Sequence, residues 1–217
     1  MVRVSARFMF ILVSLFFCQH LFAEISLSAD EMQLARENSF DLRILQRIKE
    51  ASYSVEALHG VNRAGNRVVV PGLSFTSGEQ QSYALIKRLA EEMQASGYQI
   101  FIQELGYSYT PDRIAIIKSK NKFDILRVRK TLALTAGLST RQIISKLQDW
   151  DKRYGLLLIG AGYNWLKAEL IKLPDNIEQF SNEVLAFCPE VLIFRSETLE
   201  QFQQDLRADH TIFLRWK

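Results

Sequence analysis

The chain has 217 residues, 48% of them hydrophobic and 24% charged, which are the proportions of a folded globular protein and exclude a disordered one. Its 27 Lys and Arg stand against 24 Asp and Glu for a formal net charge of +3, too even a balance for the basic stripe that nucleic acid or an anionic surface demands. Two cysteines cannot make a disulfide-rich scaffold.

The first 23 residues read as a secretory signal. Arg3 and Arg7 give a positive start, an apolar run follows from Phe8 to Phe17, and Leu21-Phe22-Ala23 places a small residue before Glu24. A transmembrane anchor needs about 20 apolar residues, and Gln19 and His20 interrupt this run first. A lipoprotein signal is excluded because Cys18 follows the bulky Phe16-Phe17. The expectation is a secreted or periplasmic protein cleaved near Ala23/Glu24, meeting the membrane only during export, with an uncleaved signal anchor as the alternative. Loss of Arg3 and Arg7 leaves 25 basic residues against 24 acidic, a net +1, and Cys188 as the remaining cysteine. No intramolecular disulfide is then possible.

Residues 24–78 read as a helical lead-in and a first strand, and residues 79–217 as the main domain. Ser28 caps a short helix carrying Met32 and Leu34, and Ser39 restarts it so that Leu42, Leu45 and Ile48 recur at helical spacing. Helix with a break is expected as far as Gly60, then a turn over Asn62–Asn66. Val68-Val69-Val70 forms a strand that Pro71-Gly72 ends, since proline supplies no ladder donor. Glu79 to Ser96 is a helix with Leu85, Ile86, Leu89, Ala90 and Met93 on one face; Gly97 ends it, and strands follow at Tyr98–Leu105 and Arg113–Lys118. A second unit repeats this order: a strand from Phe123 to Lys130, a helix opened by Ser139 with Gln142 at capping-box spacing, Gly155, a strand at Leu156–Ile159, a turn at Gly160-Ala161-Gly162, and a strand from Trp165 to Leu173. A helix follows from Asp175, with Glu178 at capping-box spacing, to Phe187, where Pro189 bars its continuation. A helix over Thr198–Arg207 and a strand over Thr211–Trp216 close the chain.

Interspersed strands and helices predict an α+β fold, a mostly antiparallel or mixed sheet with helices packed on one face. In element order the C-terminal part is ferredoxin-like; one larger mixed sheet spanning both halves is the competing arrangement.

A family pattern runs through the C-terminal half. Phe123-Asp124-Ile125-Leu126-Arg127-Val128 precedes the Ser139–Gln142 helix start and Asp149-Trp150-Asp151. Tyr154-Gly155-Leu156, Ile159-Gly160-Ala161 and Lys172-Leu173-Pro174 lead to Phe187-Cys188-Pro189-Glu190, and Leu214-Arg215-Trp216 ends the series. In order and spacing these resemble the bacterial domain of unknown function 4253 family, over about residues 85–217. The resemblance implies that the C-terminal half is a unit; it implies no activity, cofactor or partner, because the family has none assigned. Where the family continues its Phe-Cys-Pro triplet with an acidic residue and a Gln-Gly pair, this chain keeps Glu190 and then reads Val191-Leu192-Ile193.

Candidate chemistry is sparse. Cys188 is a possible nucleophile only if accessible and ionised; its place at a helix end beside an apolar stripe reads as a small buried hydrophobe. His59 and His210 lack metal-ligand spacing, and Asp209-His210, adjacent on one backbone, point apart. In the acidic cluster Asp149, Asp151, Glu169, Asp175 and Glu178, the first two are two apart and do not share a helix face and the last two read as a cap, so paired carboxylates are not expected. Gly160-Ala161-Gly162 lacks the lysine of a phosphate cradle and reads as a hairpin turn, implying no nucleotide. Tyr98, Phe101, Tyr107 and Tyr109 are the aromatic set, and the polar connection around Tyr107 and Tyr109 is the expected binding element. The leading expectation is therefore a binding or interaction module without a catalytic set or cofactor, engaging an unknown protein or small ligand and no nucleic acid. The alternative is a thiol-dependent enzyme or hydrolase using Cys188 with His59 or His210.

Overall fold

The computed structural model describes residues 26–52, 54–61, 66–195 and 198–217. The signal segment, its cleavage point and most of the turn expected at 62–66 lie outside the described residues.

Two short helices open the fold. Helix α1 (Ala29–Glu37) starts at a full capping box: Glu31 N donates to Ser28 Oγ, and Ser28 N to the Glu31 carboxylate. Helix α2 (Leu42–Lys49) starts at Asp41, whose carboxylate accepts from Arg43 N at 2.8 Å. Ser39, the expected restart, instead bends the chain in the left-handed region at φ 56°. Helix does not continue to Gly60. Strand β1 (Glu56–Val61) takes up the end of that stretch, sending Leu58 fully into the core.

Strand β2 (Arg67–Ser77) runs through Pro71-Gly72 rather than stopping at it. The antiparallel pairing with β1 explains why. Ala57 faces Leu73 and His59 faces Val69, so Val70, Pro71 and Gly72 lie opposite Leu58 alone. In this bulge proline is asked for no ladder donor. Gly72 has φ 146°, and a Cβ there would meet the Ile116 carbonyl at 2.7 Å, so the position needs glycine.

Helix α3 (Glu79–Ala95) buries Leu85, Ile86, Leu89 and Met93, and the hairpin β3 (Tyr98–Glu104) and β4 (Asp112–Lys118) follows. The strand expected at Phe123–Lys130 is a helix, α4 (Asp124–Arg129). The short apolar-basic run fits either period, and local bonds decide it: Phe123 N donates to Asn121 Oδ1 at 3.0 Å, Ser119 Oγ to Asp124 at 2.6 Å, and Lys130 closes the turn at φ 51°. The ferredoxin-like order expected of the C-terminal part accordingly lacks its first strand. Helix α5 (Thr140–Tyr154) opens at the expected Ser139–Gln142 capping box. Strands β5 (Leu156–Ala161) and β6 (Trp165–Leu170) form the second hairpin, with Gly160 and Ala161 still inside β5. Helix α6 (Ile177–Phe187) is capped by Asn176, accepting from Gln179 N at 2.9 Å, and not by the Asp175–Glu178 pair. After Pro189 come α7 (Val191–Arg195), α8 (Leu199–Asp209) and the last strand β7 (Thr211–Arg215).

Among the described residues seven strands form one mixed sheet in the order β1-β2-β4-β3-β5-β6-β7, so the fold is α+β, as expected. Only β3 and β5 pair in parallel; every other adjacent pair is antiparallel. Helices cover both faces, not one. Ile100, Ile102, Ile114 and Ile116 point to a core shared with α1–α3, while Phe101, Ala115 and Ile117 point to a core shared with α4–α6 and α8. The central strands are buried on both sides and therefore read as unbroken apolar runs, which masks the second covered face.

Helices α5 and α6 are locked by Glu183, which accepts from Trp150 Nε1 at 2.8 Å and Arg153 Nη2 at 2.6 Å and also pairs with Lys146. Burial pushes its carboxyl up, but the bonds from Arg153, Lys146 and Trp150 outweigh that and hold it at about 2, against an ordinary 4.5. A depressed carboxylate stabilises the fold above its unfolded value and loses that contribution as pH falls through the folded one. Acid titration from pH 5 to pH 2 is therefore expected to remove about 1–2 kcal/mol through this group, after discounting for screening of the partly exposed cluster. Glu183→Gln should flatten that part of the pH–stability curve; an unchanged curve would contradict the assignment.

Candidate functional site

Cys188 follows α6 and is fully buried, with Sγ donating to the Arg215 carbonyl at 3.4 Å. Burial pushes its thiol up to about 12, so at neutral pH it is protonated and shut away from substrate. The histidines do not join it. His210 caps α8 at the start of β7, whereas Cys188 meets the other end of that strand, roughly 16 Å along it. His59 sits on β1, at the opposite edge of the seven-stranded sheet and roughly 29 Å from β7. The acidic residues are also dispersed. Asp149 pairs with Arg153, and Asp151 with Lys122 and the Leu156 amide, while Asp175 and Glu178 are exposed on the surface. Gly160 packs against the Ile102 backbone at the β3–β5 seam, a close strand approach and not a phosphate cradle.

Of the aromatic set, two members belong to the core. Phe101 is fully buried, and Tyr98 is buried beside Phe40 with its hydroxyl accepting from Asp41 N at 3.0 Å. The other two stand out. In the β3–β4 connection, Gly106 N donates to the buried Asp112 carboxylate at 2.8 Å, and the Gly106 carbonyl accepts from Tyr109 N at 3.0 Å. This closes a tight loop in which Tyr107 and Ser108 both adopt left-handed backbone, φ 49° and 64°. Successive non-glycine residues in that region are strained and persist only where the surroundings fix them. Ser108 Oγ donates to Glu79 at 2.8 Å, Arg215 lies over the Tyr107 ring at 5.7 Å, and Tyr109 is 93% exposed.

The loop ends a groove of about 640 Å³. On this sheet face α3 is the outermost helix, and beyond it β6 and β7 present Lys167, Glu169, Thr211 and Phe213, all partly exposed. Across the two strands Lys167 faces Phe213 and Glu169 faces Thr211. Tyr83 and Lys87, one helical turn apart on α3, form the wall. The Tyr83 hydroxyl bonds Glu169 and lies 3.4 Å from Thr211 Oγ1, and Lys87 Nζ donates to Glu169 at 2.9 Å. The ammonium groups of Lys87 and Lys167 lie 5.4 and 4.8 Å from the Tyr83 ring centre. A second, more open depression of about 800 Å³ shares Glu79 and Lys167 with the first and is lined by Tyr109 and Pro111.

The electrostatics favour holding over reacting. Burial and the Glu169 bond raise the Tyr83 phenol; at Glu169 burial pushes up, but Lys87 and Tyr83 bring the carboxyl below its ordinary value. The bond to Glu169 raises Lys87. Each group is driven deeper into its neutral-pH state, so none is poised as a general acid or base. Tyr107 and Tyr109 were legible in the sequence; Tyr83, Lys87, Lys167 and Phe213 were not, although Tyr83 and Lys87 fall off the buried stripe of α3.

Residues 113–217 match the family described as Domain of unknown function (DUF4253), the C-terminal half whose motifs resemble it. No curated protein matches the chain, and no solved structure does.

Proposed function

We propose that the protein is an exported binding module that takes its ligand in the groove over β6 and β7, gripped by Tyr107 and Tyr109. The carrying observation is the loop itself: two strained residues, a glycine and a buried aspartate hold Tyr107 at the groove mouth and Tyr109 over the adjoining depression before any ligand arrives. Preorganised aromatic anchors lower the ordering cost of association. The groove supplies fixed charges and a phenol as further contacts, and the buried thiol offers no competing nucleophilic route. Export rests on the leader, Arg3 and Arg7 before the run from Phe8 to Phe17.

Immobilised processed protein is expected to retain a ligand from the exported fraction that the Tyr107→Ala/Tyr109→Ala variant binds at least thirtyfold more weakly, the size of a hot-spot loss of about 2 kcal/mol. Equal retention by both proteins would move binding away from this loop. Mass spectrometry of the same fraction should find the chain starting at Glu24.

A further inference from the structure

The groove over β6 and β7 holds more negative than positive charge. Glu79, Asp205 and Asp209 line it against Lys87 and Lys167. Glu169, two residues from Lys167 and so on the same face of β6, adds a fourth carboxylate. Arg215, over the Tyr107 ring at one end, brings the cations to three and leaves the carboxylates in excess.

The cations are also answered from within the chain. Lys87 donates to Glu169 at 2.9 Å, Lys167 lies 4.8 Å from the Tyr83 ring centre, and Arg215 lies on Tyr107. Glu79 accepts from Ser108 Oγ and Asp205 from Gln201 Nε2, each at 2.8 Å. Asp209 differs. Its carbonyl accepts from Thr211 Oγ1 at 3.1 Å, but among the described residues nothing donates to its carboxylate.

The position of Asp209 works against the helix that carries it. It is the last residue of α8, and Asp205 stands one turn earlier on the same side. Carboxylates in a last turn oppose the helix macrodipole, and like charges four residues apart repel. Both nevertheless line the groove beside Thr211 and Phe213. Phe213 is partly exposed and packs on Trp165, with 6.0 Å between ring centres, so a fixed aromatic surface adjoins the unanswered charge.

We propose that the ligand of this groove is a small organic cation, an ammonium group carried on an apolar body. Asp209 receives the ammonium with Asp205 beside it, and the body lies on Phe213, pointing toward Tyr107. Aromatic faces attract cations as well as apolar groups. An organic anion would meet cations that already have partners and a surplus of carboxylates. The assignment rests on the groove being the binding site.

The test is calorimetric titration of the purified protein at pH 7 and constant ionic strength with 2-phenylethylamine, 2-phenylethanol and 3-phenylpropionate, which share a phenyl body and differ in charge. The amine should bind about tenfold more tightly than the alcohol or the anion. Asp209→Asn should bring the amine to the level of the alcohol without lowering Tm, since the charge removed opposed the helix end. No amine binding at millimolar concentration overturns the proposal, as does tighter binding of the anion or an undiminished amine preference in Asp209→Asn. A lower Tm in that variant would assign the carboxylate to the fold and overturns it too. The groove and the cation fail separately. Loss of retention in the Tyr107→Ala/Tyr109→Ala variant without an amine preference refutes the cation and keeps the groove. An Asp209-dependent amine preference with equal retention keeps the cation and moves the grip off the loop.

Discussion

Trp150→Ala is expected to cost about 3–5 kcal/mol of stability. Trp150 is fully buried between α5 and α6, meeting Phe180 and Phe187 edge-on at centroid distances of 5.3 and 5.5 Å. Phe187 in turn meets Trp216 at 5.8 Å, so the indole anchors an aromatic chain that reaches the end of β7. Truncation opens a cavity across that chain and withdraws one of the donors that keep Glu183 ionised. Trp150→Phe keeps most of the volume and should lose less than half as much. Urea unfolding measures both; a loss below about 1 kcal/mol for alanine would mean that the helix layer repacks freely.

Gly106→Ala should be nearly as damaging and more local. A Cβ at this position would lie 1.7 Å from the Thr110 carbonyl oxygen, which is backbone and cannot swing aside. The loop must rebuild, and Asp112, buried at 1% exposure, then loses its Gly106 N–H. Leaving a buried carboxylate short of a donor costs about 1–3 kcal/mol, and more for a charged group. The expected result is a lower Tm and faster proteolytic cutting within residues 105–111. A variant with wild-type Tm and wild-type protease resistance would show that the loop is not built as described.

What the sequence revealed and what it hid follow a physical line. The Ser28 cap and the Ser139–Gln142 capping box were legible because a helix start is written in a few consecutive residues, although the Glu31 half of the first box was not foreseen. The stripe of α3 was legible for the same reason, as one face of one helix. Pro71 misled because its tolerance depends on a bulge opposite Leu58, set by a strand more than ten residues earlier. Phe123–Lys130 misled because eight residues are too few to fix a period. The groove was the hardest to foresee. Tyr83, Lys167 and Phe213 become neighbours only through the β6–β7 register and the lie of α3, and neither leaves a local mark. Only its loop, with Tyr107, Tyr109 and Pro111 in one stretch, could be named in advance.

The position of β4 bears on how this protein can be dissected. Its two hydrogen-bonded neighbours, β2 and β3, both come from upstream of residue 113, where the family match begins. Sequence similarity and mechanical autonomy therefore part company here. A fragment cut at that point would strip β4 of both flanking strands and expose Ile114 and Ile116, which α1–α3 keep dry, so a worker seeking the minimal soluble piece must retain the upstream strands as well.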